Sequence, residues 1–370
     1  MKRLTLLPLP VLCVILLSAA DQQPKIPPMP AAVASNAVAT LRGGLDVYSL
    51  MGIGPKKAWD DITNKVYVLR LSSAKWSEAR PVPGVGGRLG ASAVGVKGQI
   101  FVFGGYLIDG KGGQYTVPDV NAYVPDNRRW YRAEDIPIGV DNAAIGVNQN
   151  RYVYLIGGRS QSGPVNNVQL YDVEKNIWSQ ATPFPGSPVF GLAGGLGDDT
   201  IVIVDGAKKN PAGSGVPYVP SDECWVGKID KKDPNKIQWS KIPPHPGPAH
   251  FGIVAGAGEK DRRIVFSGGT AKVHDFKGMD EDGKPAEFSA FTFDFDVHTN
   301  RWETISEDTF DVRSDTHGIV STPIGMLIVG GLVKNTAVTA RAVVVPKRAE
   351  SNIIEDKQPE KGKAPEAESK

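Results

Sequence analysis

The side chains of this 370-residue chain that are suited to holding a small molecule or moving a proton are spread along its length rather than gathered in one motif. Asp141, His250 and His317 are types that take and give protons near neutral pH. Arg88 and Arg159 carry forked donors that match a carboxylate, and Lys208 and Lys272 add point charges. Asn36 and Asp315 offer hydrogen bonds, while Trp59 and Tyr106 offer flat apolar faces. As a set, these types fit an anionic or hydroxyl-rich small ligand, provided the fold brings them together.

The elements that must position them come from a repeat. The stretch QIFVFGGYLIDGKGGQYTVPDVNAYVPDNRRW, residues 99–130, holds a β-branched and aromatic run, a glycine pair, a polar loop, a second strand and a tryptophan. The run ending in a glycine pair recurs as RYVYLIGG, RRIVFSGG and MLIVGG, and in degenerate form as VYSLMGIG and IVIVDG. That makes six copies, roughly fifty to sixty residues apart. Trp76, Trp130, Trp178, Trp239 and Trp302 follow in register, with Leu69, Tyr123, Tyr171 and Phe295 seven residues before four of them. A strand of small residues precedes each glycine pair, as in GASAVGV, NAAIGV and FGLAGGL. Small side chains suit innermost strands that crowd toward an axis, so each repeat predicts a four-stranded blade.

Glycine pair, aromatic and tryptophan in this order are the kelch pattern. The chain resembles a six-bladed, all-β kelch propeller over residues 21–346. The last copy lacks its tryptophan strand, and KIPPMP at residues 25–30 matches KIPPHP, which follows Trp239. The N-terminal strand is therefore expected to complete the sixth blade and close the ring. Loops after the glycine pairs and loops leading into the inner strands open on one face of such a ring, and function is expected there. Counting back sixteen residues from the first glycine lands on Asn36, Arg88, Asp141 and, with Asp205 as the reference, Val189. A structural role competes at several of these positions. An arginine heading an inner strand can bridge blades through carbonyls, the histidines can be core residues, and the lysines can be solvated.

Outside the repeats, MKRLTLLPLPVLCVILLSAA has a basic start, an apolar run and small residues at its end, the pattern of a signal peptide cleaved after Ala20. Removing it leaves Cys224 as the remaining cysteine, so the mature chain forms no internal disulfide. A periplasmic or secreted protein is expected, with no membrane span once the leader is gone. Residues 347–370 mix both charges without periodicity and are expected to be a disordered tail. A formal charge of +2 gives no sign of nucleic-acid binding. No metal or cofactor is expected. Asp280-Glu281-Asp282-Gly283 is only a fragment of a calcium loop, better read as part of a solvated insertion.

Among kelch proteins the chain is similar to the bacterial periplasmic sialic-acid mutarotases, the N-acetylneuraminate epimerase group. The likeness lies in MGIGPKKAW, in VFGG followed by a glycine-rich loop and VPDVNAYVPDNRRW, in the long loop after Gly269, and in RSDTHG at residues 313–318. It implies anomer exchange, in which one group removes the anomeric hydroxyl proton, another protonates the ring oxygen and cations hold the sugar carboxylate. Asp141, His250 and His317 are the candidates for proton transfer. Asn36, Trp59, Arg88, Tyr106, Arg159, Lys208, Lys272 and Asp315 are the candidates for ligand binding. That family's acidic residue after the fourth-blade Asn-Gly is missing here, where the sequence reads Asp205-Gly206-Ala207-Lys208-Lys209. The expectation is thus an exported binding module for a carbohydrate, an acidic small molecule or a protein partner, with sugar mutarotase as the alternative. Galactose oxidase chemistry needs an adjacent Tyr-His pair, which the sequence lacks.

Overall fold

The computed structural model describes residues 26–345 apart from 85, 213–214, 258–261 and 307–315. The expected signal peptide, residues 1–20, and the expected disordered tail, residues 347–370, lie outside the described residues. What is described is all-β, six antiparallel blades with two short 3-10 turns, Trp59–Asp61 and Lys334–Thr336. Blade one comprises Asn36–Leu41, Asp46–Ile53, Ile62–Arg70 and Lys75–Ala79. Blade two has Ser92–Val96, Gln99–Phe103, Val120–Val124 and Arg129–Arg132, and blade three Ala144–Asn148, Tyr152–Ile156, Val168–Asp172 and Ile177–Ala181. Blade four follows with Ala193–Gly197, Thr200–Val204, Cys224–Ile229 and Ile237–Ile242. Blade five has Val254–Ala257, Arg263–Ser267, Thr292–Asp296 and Arg301–Ser306. Blade six has three strands, Val320–Thr322, Gly325–Val329 and Ala342–Val344. Successive inner strands touch, and the sixth returns to the first.

The small residues of the inner strands have a steric cause. A Cβ on Gly95 would stand 1.9 Å from the Thr40 carbonyl oxygen of the neighbouring blade, and one on Gly256 would stand 1.9 Å from that of Ile319. Close packing leaves no room for either.

The seven-residue aromatic spacing is also explained. Tyr123 faces Trp130, Tyr171 faces Trp178 and Phe295 faces Trp302 directly across their hairpins, with ring centroids 5.0, 4.9 and 4.6 Å apart. In blade four the partner of Trp239 is Gly227, where a Cβ would meet the indole at 2.7 Å.

Each indole N–H then fastens the preceding blade. Trp130 donates to Arg80 O, Trp178 to Glu134 O, Trp239 to Thr182 O and Trp302 to Pro243 O. Trp76 donates to Pro27 O at 2.8 Å. Pro27 holds the same place in IPPMP that Pro243 holds in IPPHP, so the N-terminal segment completes blade six as the motif match requires. Met29 N–H reaches Ala340 O at 2.8 Å, and Met29 and Val33 pack with Leu327, Val329 and Val344. This segment runs along blade six as extended chain rather than as a regular strand. On the inner side, Thr316–His317 pairs in parallel with Asn36 and Ala37, tying blade six to blade one.

Candidate functional site

In blades one to five the chain enters the inner strand beside the residue that follows that blade's own glycine pair or its substitute. Ala34 bridges Ile53, Leu89 bridges Tyr106, Asp141 bridges Arg159, Phe190 bridges Ala207 and Phe251 bridges Thr270. The residues aligned with Asp141 are therefore Ala34, Leu89, Phe190 and Phe251, which corrects the sixteen-residue count. The count fails because the hairpins joining the first two strands of each blade differ in length. The glycine pairs take left-handed φ, 55° and 93° at Gly104 and Gly105, and the substitutes Met51 and Asp205 take it too, at 57° and 60°. In the first blade the pair is therefore Met51-Gly52.

After the pair, the loops of blades two, three and four fold into small hairpins on one face. Tyr106–Ile108 pairs with Gln114–Thr116, Arg159–Ser160 with Gly163–Pro164, and Ala207–Lys209 with Tyr218–Pro220. Between them and the long loop of blade five lies a cleft of about 280 Å³, continuous through Tyr106, Gln114, Arg159 and Tyr218 with a neighbouring space of about 260 Å³. Phe190, Phe251, Tyr218 and Tyr106 form its apolar walls, Arg159 and Asn142 lie at its base, and His274, Asp275 and Glu281 stand on the blade-five side.

Arg159 is held on several sides. Its Nε donates to Asp141 Oδ2 at 3.2 Å and an Nη to Gln114 Oε1 at 3.0 Å. Its guanidinium carbon sits 5.2 Å from the Tyr106 ring centroid and 5.4 Å from that of Phe190, both cation–π distances. The Arg159 side chain keeps 24% of its surface exposed, whereas the Asp141 side chain has none. Asn142 donates to the other Asp141 oxygen at 2.6 Å. Burial pushes the Asp141 carboxyl up to about 6, with Arg159 and Asn142 opposing it. The result is a rigid guanidinium with donors left for a ligand and a carboxylate beneath it that cannot reach one.

Of the residues expected from sequence to form one site, the structure brings Tyr106, Arg159 and Asp141 together. Trp59 lies on an adjoining cavity. Arg88 turns into its own blade two, where it donates to Asp119 O and Asn121 Oδ1, so it binds a carbonyl within the blade rather than bridging neighbouring blades; burial pushes its guanidinium down to about 10. Asn36 donates to Ser49 Oγ and Val329 O at the seam. Lys272 pairs with Asp280 and Asp282 and so braces the blade-five loop, and Lys208 faces Val219 in the blade-four hairpin. His317 is placed by its backbone beside Ala37, and Asp315 lies outside the described residues. Gln114 and Tyr218 were missed because they sit on the returning arms of the hairpins. Phe190 and Phe251 were missed because the register slipped by one; the bridge to the residue after the glycine pair finds both.

Asp205 and His250 belong to a second, enclosed cluster. Asp205 Oδ2 lies 2.9 Å from His245 Nε2 and accepts from the His250 backbone N–H at 2.8 Å. His245 donates through Nδ1 to Pro246 O at 2.7 Å and stacks on Phe293 with centroids 4.3 Å apart. Burial works against a charge on His245, but the Asp205 carboxylate overcomes it and holds the ring above the usual histidine range. His250 is pushed down to about 4 by burial and by the His245 charge. Asp205 therefore does not face the cleft, and the residue after its glycine is Ala207, packed against Phe190 and Phe251. Among the described residues no cluster has the composition and spacing to hold a metal ion.

Comparison with known proteins agrees with this architecture. The KLHDC2/KLHL20/DRC7 Kelch-repeats domain profile matches residues 39–269. N-acetylneuraminate epimerase 1 of Escherichia coli O6:H1 is 27% identical over 320 residues, covering 75% of this chain and 81% of that protein. The N-acetylneuraminate epimerase of Pasteurella multocida is 24% identical over 298 residues, covering 66% and 74%. Human Kelch-like protein 38 is 27% identical over 188 residues, but this chain spans only 30% of its length. A solved structure described as "Structure of YjhT" superposes with a TM-score of 0.70 at 19% identity, over 88% of this chain and 98% of that one. With more than half of its length matched by the domain profile, the chain belongs to the kelch-repeat family.

Proposed function

We propose that the cleft binds a small acidic sugar, with its carboxylate on Arg159 and its apolar ring face against Tyr106, Phe190, Tyr218 and Phe251. The observation that carries this reading is the guanidinium fixed by Asp141 and Gln114 yet open to the cleft. A forked cation with preset geometry loses little freedom on gripping a carboxylate. Protonating Asp141 would release the guanidinium from its internal counterion, so affinity for an acidic sugar should rise as pH falls from 7 through about 6. The test is calorimetry with N-acetylneuraminic acid and a neutral hexose. Arg159→Ala should weaken the acid sugar by roughly 10- to 100-fold and leave any hexose binding unchanged. Equal affinity of the variant for the acid sugar would overturn the reading.

A second reading, exchange of sugar anomers, is supported by the similarity to N-acetylneuraminate epimerases across most of their length. Asp141 and His250 are too enclosed for direct proton transfer to a sugar, so the cleft-lining pair His274 and Glu281 is assigned the work instead. Burial pushes His274 down, keeping it a neutral base, and pushes Glu281 up toward a proton donor. NMR of an α/β mixture would show faster exchange, abolished in the His274→Ala, Glu281→Gln double variant. Exchange no faster than in buffer would leave binding alone. The proposal includes export to the periplasm or beyond, supported by the leader pattern of residues 1–20; no described helix is long and apolar enough to cross a membrane.

A further inference from the structure

Beside the cleft lies a second cavity of about 530 Å³, built from three blades. Lys57 and Trp59 come from the loop of blade one, Asp109 from that of blade two, and Phe276, Lys277 and Met279 from that of blade five. Phe276 and Met279 also line the cleft, so the two spaces adjoin through these side chains.

Its walls are anchored. Lys57 Nζ donates to Lys277 O at 2.8 Å and to Thr336 O at 2.7 Å, clasping the blade-five loop to blade one across blade six. Asp109 accepts from the Lys111 and Gly113 backbone and from the Tyr115 hydroxyl, which sets the blade-two loop. Against this fixed frame Trp59 is 57% exposed, the most exposed large apolar side chain described. Lys277 Nζ lies 5.6 Å from the Phe276 ring, placing a cation beside the partition. An indole held open beside an acid-sugar cleft, with cations at its edges, has the features of a stacking platform for a polar ring with an apolar face.

We propose that this cavity holds the sugar residue joined to the one seated on Arg159, so that the ligand is an oligosaccharide ending in an acidic sugar. The inference rests on the acid-sugar reading of the cleft and extends it from a monosaccharide to a linked glycan. The joining bond passes over Phe276 and Met279, and the next ring stacks on Trp59.

The experiment is calorimetry on the full chain with free N-acetylneuraminic acid and with the same acid linked to lactose. The trisaccharide should bind about tenfold more tightly. Trp59→Ala should erase that gain without changing affinity for the free acid, and Trp59→Phe should keep most of it. Equal affinity for both sugars, or a gain that survives Trp59→Ala, would overturn the second cavity while leaving the cleft intact. Failure of both sugars to bind, or binding unaffected by Arg159→Ala, would instead overturn the cleft reading and the extension with it.

Discussion

Asp141 and Asp205 are both buried carboxylates on the same side of neighbouring blades, and each has a basic partner. Asp141 is paired with an arginine whose side chain stays partly open, whereas Asp205 is paired with a histidine that is 2% exposed. The first pair aims a permanent charge at a cavity. The second joins the glycine turn of blade four to the lead-in of blade five, where His245 stacks on Phe293. The same chemistry thus leaves a cation open to a cleft at one junction and ties two blades together at the next, and the difference lies in whether a loop hairpin leaves the cation reachable.

The largest effect expected of that contrast is on stability. His245→Ala leaves Asp205 as an uncompensated buried charge and should cost about 3–5 kcal/mol in denaturant unfolding, with acid-sugar affinity of the folded protein unchanged. A cost below about 1 kcal/mol would erase the distinction between the two pairs. Next is a pH effect. His250 is neutral in the fold with its pKa near 4, below its unfolded value, so stability is retained above the unfolded pKa and is lost as pH falls from about 6.5 toward 4. The loss should approach roughly 3 kcal/mol and flatten in His250→Asn, as measured by unfolding at several pH values. A smaller effect is expected at the open pair. Arg159→Ala should cost about 1–3 kcal/mol by orphaning Asp141, and adding Asp141→Asn should restore stability without restoring ligand affinity. Smallest is Gln114→Ala, which loosens the guanidinium. It should weaken the acid sugar by about two- to fivefold with stability unchanged, so an unchanged affinity would show that Asp141 alone positions Arg159.

The six blades were legible because their marks are local. Glycine pairs need left-handed backbone, and tryptophans sit opposite an aromatic at fixed spacing across a short turn. The match of KIPPMP with KIPPHP located the seam from sequence alone. The site was only partly legible because it depends on register between blades, which changes with hairpin length. Arg88 and Asp141 were counted as equivalents, yet Arg88 stands one place earlier and turns into its own blade. His245 was visible only as a letter in a matching motif. Its partner Asp205 lies forty residues earlier, and Met29 takes its place at the seam, so no repeat pattern marked the pair.

The bond from Met29 to Ala340 joins positions more than three hundred residues apart. During synthesis, blades one to five can each form from nearby chain, but this contact has no partner until almost the whole propeller has been made. Bringing such distant segments together carries the largest loop-closure cost in the molecule. Without that closure the outer edge of blade six and the indole of Trp76 would lose these partners, so both depend on a contact that spans the whole propeller.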